Sequence, residues 1–193
     1  MAPREVHSIG IVGAGTQARM QLGLLRYVTP CRQVVLWARD PDKARAFAVD
    51  GFHIQVAASI ADLCQHGNLI VTTTPARKPL LPVGCVRPGT HITAVGAGAP
   101  GKQELATVWL PLLMSLRSTA AQCFDHGEAG YAERAGLPDR ARVVELGDLV
   151  LAHASGRTRE DQLTIADLTG LAIQDIQIAR LACDSLRRRQ AEE

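Results

Sequence analysis

The hydrophobic pattern of the first forty residues predicts a strand, a helix and a second strand. The apolar run Ile9–Val12 is typical of a buried strand. Small and apolar residues then recur at the spacing of one helix face: Ala18, Leu22 and Leu25. A second apolar run, Val34–Trp37, predicts the next strand. The chain therefore begins with a β-α-β unit.

The pattern that follows continues to alternate strands with helices. Asp40-Pro41 and Ser59 are typical helix starts, with a capping side chain at each. The stretch Pro75–Pro88 is rich in proline, and we expect it to be irregular. Further strands are predicted over His53–Val56, Asn68–Thr73 and His91–Val95. This alternation predicts a single Rossmann-type domain over residues 1–193, with a doubly wound, mainly parallel sheet flanked by helices.

The second half of the chain has a weaker pattern. Trp109–Ser118 predicts a strand, Val143–Ala152 fits a strand or a helix, and short helical pieces are predicted over Ala120–Asp125 and Glu128–Ala135. The sequence pattern indicates no partner for Asp125 or Glu128, and we expect both to be solvated. A long helix over Leu171–Arg189, within a closing segment 171–193, carries an apolar face: Ile173, Ile176, Ala179 and Ala182 or Cys183.

The turn between the first strand and helix has the pattern Gly13-x-Gly15-x-x-Ala18. Gly13 permits a tight turn, Gly15 lets the backbone approach a pyrophosphate, and Ala18 lets the helix pack closely on the strand. The helix N-terminus offers free N–H groups to phosphates, and Thr16 and Gln17 lie there. The turn therefore predicts dinucleotide binding, although an α/β turn without a ligand has the same pattern.

A second glycine-rich loop, Gly96–Gly101, follows the strand His91–Val95. Pro100 offers no N–H to a phosphate, and no clear strand follows, so we expect this loop to line a site. In a doubly wound sheet, ligands bind at the carboxyl ends of the strands. Here those ends are Gly13–Ala18, Arg39, Thr72–Thr74 and Gly96–Gly98.

Arg39 follows the second strand, where an acidic residue would bind the ribose 2′-hydroxyl of NAD. A guanidinium there suits a 2′-phosphate instead. We therefore predict NADP as cofactor and keep NAD as the alternative. The neighbouring Asp40 is better explained as a helix cap.

Composition and charge argue against several classes of protein. The 193 residues are 47% hydrophobic, enough for one core, and the net charge of +2 gives no argument for nucleic acid. No apolar run is long enough to cross a membrane. The five cysteines are scattered without a C-x-x-C pair, which predicts a cytoplasmic protein with no metal site. The six histidines show no useful pairing, and none is given a catalytic role.

Six stretches, in order along the chain, resemble the ornithine cyclodeaminase and mu-crystallin family: Gly13–Ala18, Val71–Thr74, Pro88–Ala97, Pro100–Leu105, Asp161–Thr164 and Gly170–Asp175. This family includes alanine dehydrogenases of the archaeal type and reductases of cyclic ketimines. The segment Ala166–Gly170 is more similar to the ketimine-reductase branch. The resemblance implies a bound nicotinamide dinucleotide, an amino or imino acid as substrate, and a homodimer. It also implies cofactor contacts at Thr74, Val95, Gly96 and Lys102, although a strand end and an exposed lysine would explain Thr74 and Lys102 equally.

Two departures from the family pattern change what the resemblance implies. Family members carry a long substrate-binding and dimerisation domain before the glycine turn, whereas 12 residues precede Gly13 here. We therefore expect that domain to be absent and the isolated chain to be inactive. The position of the catalytic Asp of cyclodeaminases is Gly98, so no catalytic residue is assigned; Glu104 and Asp125 are the other acids considered.

The sequence thus predicts the NADP(H)-binding domain of a ketimine-reductase-like protein, with hydride transfer at the α-carbon of an amino or imino acid. Three alternatives stay open: an ornithine cyclodeaminase proper, one piece of a split enzyme, and a non-catalytic NADP-binding remnant. The missing carboxylate at Gly98 argues against the first of these.

Overall fold

A parallel sheet of eight strands organises the chain. The computed structural model describes residues 1–82, 84–107, 114–117, 123–125, 127–136, 143–170 and 172–192. The described strands are β1 (Ile9–Val12), β2 (Gln33–Trp37), β3 (His53–Val56), β4 (Leu69–Thr72), β5 (Arg77–Leu81), β6 (His91–Ala94), β7 (Gln103–Leu105), β8 (Met114–Arg117), β9 (Val143–Glu145) and β10 (Thr164–Asp167). The described helices are α1 (Thr16–Leu25), α2 (Pro41–Arg45), α3 (Ile60–His66), α4 (Glu128–Arg134), α5 (Leu146–Val150) and α6 (Ala172–Glu192).

The strand order of the main sheet is β3-β2-β1-β4-β6-β10-β8-β9, and every pair is parallel. Its registers are aligned, with Val12 opposite both Trp37 and Thr72. The predicted Rossmann-type, doubly wound fold is therefore confirmed. Because all the strands run the same way, their carboxyl ends lie along one edge of the sheet.

Alternate residues of β1 face two separate core clusters. Ile9 and Ile11 pack in one cluster with Ala18 and Leu22 of α1, and all four side chains are fully buried. Val12 belongs to the other cluster, which α3 covers through Leu63. The apolar run predicted as a strand is thus buried on both faces, as parallel sheets require.

Two helix starts were correctly located by their capping residues. Asp40 Oδ1 accepts hydrogen bonds from the N–H groups of Asp42 and Lys43, at 3.1 and 3.2 Å, and Pro41 occupies the first turn. Ser59 Oγ accepts from the N–H of Asp62 at 3.0 Å. These side chains satisfy donors that a helix start leaves free.

The predicted irregular stretch Pro75–Pro88 is wrong in part, because it contains β5. This strand pairs in parallel with β7, which follows the loop where no clear strand was expected. The pairing joins residues more than twenty positions apart and leaves no local pattern. Pro79 lies within β5, and its missing N–H is tolerated because the two-stranded sheet has free edges.

In the second half, the helix predicted over Glu128–Ala135 is confirmed as α4. The stretch Val143–Ala152 holds both predicted types, since β9 leads directly into α5. β8 lies within the predicted strand Trp109–Ser118, whose residues 108–113 and 118 lie outside the described ones. Of the helix predicted over Ala120–Asp125, residues 123–125 are helical and 120–122 lie outside the described ones.

The predicted long C-terminal helix is present as α6, and the described residues of its apolar face are exposed. Between residues 174 and 190 every residue is exposed except the half-buried Asp184, and Ile176 keeps 59% of its surface exposed. The spacing of its apolar residues correctly predicted a helix, but such spacing does not show whether another element packs against the apolar face. No described helix combines the length and apolar character needed to cross a membrane.

Candidate dinucleotide site at the carboxyl edge of the sheet

Two adjoining cavities lie at the carboxyl ends of the central strands and share Thr73, Thr74 and Pro75. We name each after one of its residues. The Arg39 cavity, of about 310 Å³, is lined by Gly13, Ala14, Gly15, Trp37, Ala38, Arg39, Asp40, Lys43, Thr73, Thr74, Pro75, Ala76 and Leu80. The Gly96 cavity, of about 530 Å³, is lined by Gln17, Gln21, Thr73, Thr74, Pro75, Val95, Gly96, Gly98, Lys102, Leu168, Thr169, Gly170 and Gln174.

The glycine turn Gly13–Gly15 lines the Arg39 cavity. Gly13 has a φ of +114°, and a Cβ there would lie 2.7 Å from Thr73 Oγ1. Gly15 is the N-cap of α1, and a Cβ there would meet nothing within 4 Å. Ala18 is fully buried against the sheet. The backbone of this turn is therefore open to a ligand, as the motif predicts.

The start of α1 has the properties of a phosphate site. No side chain caps it, so its first N–H groups have no partner among the described side chains. Thr16 and Gln17 are exposed there, and Gln17 also lines the Gly96 cavity. Free N–H groups and the positive end of the helix dipole favour an anion. A pyrophosphate fits this arrangement.

Three charged side chains line the Arg39 cavity: Arg39, Asp40 and Lys43. Arg39 is exposed, and no hydrogen bond or ion pair joins it to the described residues. Asp40 is engaged in capping α2, and those N–H bonds hold the pKa of its carboxyl below the usual value. The sequence interpretation missed a second cation, Lys43, whose Nζ lies 3.6 Å from Asp40 Oδ2. The sequence signal for Lys43 was its position in the predicted helix, three residues after the capping Asp40.

The structure brings together the predicted residues of the Gly96 cavity: Thr74, Val95, Gly96, Gly98 and Lys102. A Cβ on Gly98 would lie 3.7 Å from Gly170 N and from Thr169 Cα, which is ordinary contact. Among the described residues that line this cavity there is no Asp, Glu or His, and Lys102 is the ionisable one. A side chain at position 98 would fit, but the cavity wall supplies no carboxylate.

Glu104, on β7, is the site residue whose position the sequence interpretation missed. Its side chain is fully buried and accepts four hydrogen bonds from the ends of β4 and β6. Oε1 accepts from Thr74 N at 2.6 Å and Thr74 Oγ1 at 2.7 Å. Oε2 accepts from Thr72 Oγ1 at 2.7 Å and Gly96 N at 2.8 Å. In the sequence, the burial of Glu104 was indicated only by the apolar Leu105 beside it, and that signal is weak.

The expectation that Glu128 is solvated is wrong. Its side chain is fully buried at the start of α4, and Oε1 accepts from the N–H groups of Glu104 and Leu105, at 2.5 and 3.2 Å. Burial raises the pKa of Glu128 to about 8, and the nearby carboxylates of Asp167 and Glu104 add to the shift. Its Oε2 has no hydrogen-bond partner among the described residues. The partners come from β7, so no local pattern indicated them.

His91 lies at the opposite edge of the sheet and is buried. Its Nδ1 forms a 2.7 Å hydrogen bond with Thr164 Oγ1. Burial lowers the pKa of His91 to about 3, and the positive charges of the chain's amino group and Arg157 contribute. This neutral histidine belongs to the core and is remote from both cavities.

Comparisons with known proteins agree with this geometry. A model described as the ornithine cyclodeaminase/mu-crystallin family matches residues 1–190. An uncharacterized cyclodeaminase of Sinorhizobium fredii is 38% identical over 188 residues, which are 94% of this chain and 57% of that protein. This chain thus spans little more than half of that relative's length.

Two solved structures superpose closely. An archaeal alanine dehydrogenase dimer with bound NAD has a TM-score of 0.92 at 31% identity, covering 98% of this chain and 60% of its own. The Thermococcus litoralis pyrroline-2-carboxylate reductase, in complex with NADH and L-proline, has a TM-score of 0.92 at 25% identity, covering 98% of this chain and 61% of its own. With its Rossmann-like fold and its match over residues 1–190, the chain belongs to the ornithine cyclodeaminase/mu-crystallin family.

Proposed function

We propose that this chain binds NADP(H) across the two cavities and presents it for hydride transfer at the α-carbon of an amino or imino acid, as a cyclic-ketimine reductase does. The observation that carries the proposal is the uncapped start of α1 beside an open glycine turn, with the exposed Arg39 lining the same cavity as that turn. A substrate site and turnover are proposed for this chain when it is completed by a substrate domain, since the relative from Sinorhizobium fredii is longer than this chain.

Each part of the dinucleotide has a candidate partner in the cleft. The N–H groups after Gly15 would hold the pyrophosphate, with Thr16 and Gln17 beside it. Arg39 would hold the 2′-phosphate of NADP, because a guanidinium binds two phosphate oxygens at once. The adenosine would lie in the Arg39 cavity and the nicotinamide in the Gly96 cavity. The two solved relatives contain NAD and NADH, so the preference for NADP is our proposal and rests on Arg39.

The composition of the Gly96 cavity supports a reductase more than a cyclodeaminase. The cofactor supplies the hydride chemistry, and the protein has to bind, orient and exclude water. A cyclodeaminase also needs proton transfers at nitrogen, for which a placed carboxylate typically contributes about 10²–10⁴-fold. The described lining residues include Lys102 but no acid. Reduction of a protonated imine does not need such an acid.

An ornithine cyclodeaminase is the second candidate, because a relative 38% identical is named a cyclodeaminase. A non-catalytic NADP-binding protein is the third. With a family substrate domain supplied as a fusion or partner chain, assays of ketimine reduction and ornithine deamination separate the three, since the last would bind the cofactor without turning over either substrate. One solved relative is a dimer, and a homodimer of this chain remains a prediction.

Titration of the chain with NADPH and NADH tests the proposal. We expect NADPH to bind more tightly by about 1.5–3 kcal/mol, the value of a charge-assisted contact. Arg39→Asp should reverse the order. Arg45→Asp is the matched control, because Arg45 carries the same charge on α2 but lines neither cavity.

Each result of the titration has a definite meaning. Equal affinities of the unchanged chain for NADPH and NADH would contradict the role of Arg39. Binding of neither dinucleotide would contradict the proposed function itself. An equal effect of Arg45→Asp would show that general surface charge sets the preference.

A further inference from the structure

The nicotinamide-side wall depends on one buried side chain that does not line the cavity. Thr74 and Gly96 line the Gly96 cavity, and they come from the carboxyl ends of β4 and β6. The two strand ends approach so closely that a Cβ on Gly96 would lie 2.2 Å from the Thr74 carbonyl oxygen. The Glu104 carboxylate lies between them and bonds both.

We propose that Glu104 is the positioning residue of the Gly96 cavity: its carboxylate fixes Thr74 and Gly96 so that the nicotinamide half of the cofactor binds in one orientation. This inference rests on the proposed function. Glu104 touches neither the cleft surface nor the reacting atoms, since its side chain is fully buried.

The bonding pattern of Glu104 requires a carboxylate. Each oxygen accepts from one backbone N–H and one hydroxyl. An ionised carboxylate accepts at both oxygens and donates at neither. A glutamine has to place its NH₂ at one of the two positions, where it would face the N–H of Thr74 or of Gly96. One buried donor would then oppose another, although the shape is unchanged.

The same contacts change the role expected for Thr74, which was a contact with the cofactor. Its hydroxyl donates to Glu104 and accepts from Ala76 N at 3.3 Å, and its N–H is also bound to Glu104. Its polar side chain therefore serves the protein interior. Thr74 acts as part of a wall whose position Glu104 sets, and Glu128 in turn holds the backbone of Glu104.

The Arg39 cavity shares Thr74 with this network, but its proposed phosphate-binding groups are separate from it. Its glycine turn, Arg39 and Lys43 all come from residues 13–43, and none of them bonds Glu104. Loss of the Glu104 carboxylate should therefore weaken ligands that contain nicotinamide and spare those that contain adenosine alone. A loss of global stability would weaken both kinds alike.

The test measures dissociation constants of NADPH and of adenosine 2′,5′-bisphosphate for the unchanged chain and for Glu104→Gln. We expect the variant to bind NADPH about 10- to 100-fold more weakly, and the bisphosphate within about twofold of the unchanged chain. The fluorescence of bound NADPH arises from the nicotinamide ring, so its emission maximum at saturation should also change. Asp62→Asn is the control, because Asp62 accepts from Ala58 N at the start of α3, away from both cavities.

A second variant covers the case in which Glu104→Gln fails to fold. Thr72→Val removes one of the four donors and keeps the side-chain shape, and we expect about two- to tenfold weaker NADPH binding with the bisphosphate unchanged. Equal weakening of both ligands, or of neither, in the variants that fold would overturn the positioning role. If the unchanged chain binds neither ligand, the proposed function fails instead.

Discussion

The Arg39 cavity takes its ligand-facing groups mainly from one continuous unit, residues 13–43, whereas the Gly96 cavity takes them from the ends of several separate strands. In the first, a helix start and a glycine turn leave N–H groups free for a ligand. In the second, the N–H groups of Thr74 and Gly96 are already bound by the buried Glu104. One cavity therefore offers donors to a ligand, and the other offers a wall held from within the protein.

The largest expected effect is on the free energy of unfolding and comes from a substitution in the wall of the Gly96 cavity. Gly96→Ala would place a Cβ 2.2 Å from Thr74 O and 2.5 Å from the Glu104 carboxylate. Since one neighbour is backbone and the other is held by four hydrogen bonds, we expect the free energy of unfolding to fall by about 3 kcal/mol. Urea denaturation measures this change.

Gly98→Ala is the matched control, two residues further along the same loop. Its Cβ would meet atoms at 3.7 Å, and we expect a change within about 0.5 kcal/mol. Equal losses at positions 96 and 98 would show that the loop is sensitive throughout and that the close approach at Gly96 is not special.

The next effect, measured per pH unit, concerns the buried Glu128 carboxyl behind that wall. Glu128 has a pKa raised to about 8 from 4.5, so between these values the folded state keeps a proton that the unfolded state has lost. Its contribution to stability is complete below pH 4.5 and is lost as the pH rises through 8, at up to about 1.4 kcal/mol per pH unit.

Glu128→Gln should remove this slope. The free energy of unfolding, measured in urea at pH values from 5 to 8, should fall with pH more steeply for the unchanged chain than for the variant. Asp42→Asn, on the exposed α2, should leave the slope unchanged. Parallel curves for the unchanged chain and Glu128→Gln would contradict the buried, neutral state of Glu128.

The smallest expected effect is on the preference for NADPH over NADH and comes from a substitution in the Arg39 cavity. Lys43→Ala removes a cation that is 74% exposed, and water screens such a charge strongly. We expect the preference for NADPH over NADH to fall by about 0.5 kcal/mol, and by less at high salt. Lys78→Ala, on the exposed part of β5, should have no effect. A larger loss for Lys43→Ala than for Arg39→Asp would move the 2′-phosphate site from Arg39 to Lys43.

The Arg39 cavity depends mainly on local contacts and the Gly96 cavity on long-range ones, and this difference explains what could be predicted from the sequence. The β1–α1–β2 unit and the α2 cap at Asp40 were predicted, because each depends on neighbours within a few residues. The convergence of the strand ends followed from the parallel sheet that the alternation of strands and helices predicts. Glu104 and Glu128 were not, because their partners are 8 to 32 and 23 to 24 positions away. β5 and β7 were missed for the same reason, since each is recognisable only through the other.

The most direct test of the account is the amide NMR spectrum of the chain titrated with adenosine 2′,5′-bisphosphate and then with NADPH. The bisphosphate should shift resonances of the glycine turn, Arg39 and Lys43. NADPH should shift these and, in addition, resonances of Val95, Gly98, Lys102, Thr169 and Gly170. If NADPH shifts only the first set, or if neither ligand shifts the glycine turn, the two cavities do not form one dinucleotide site.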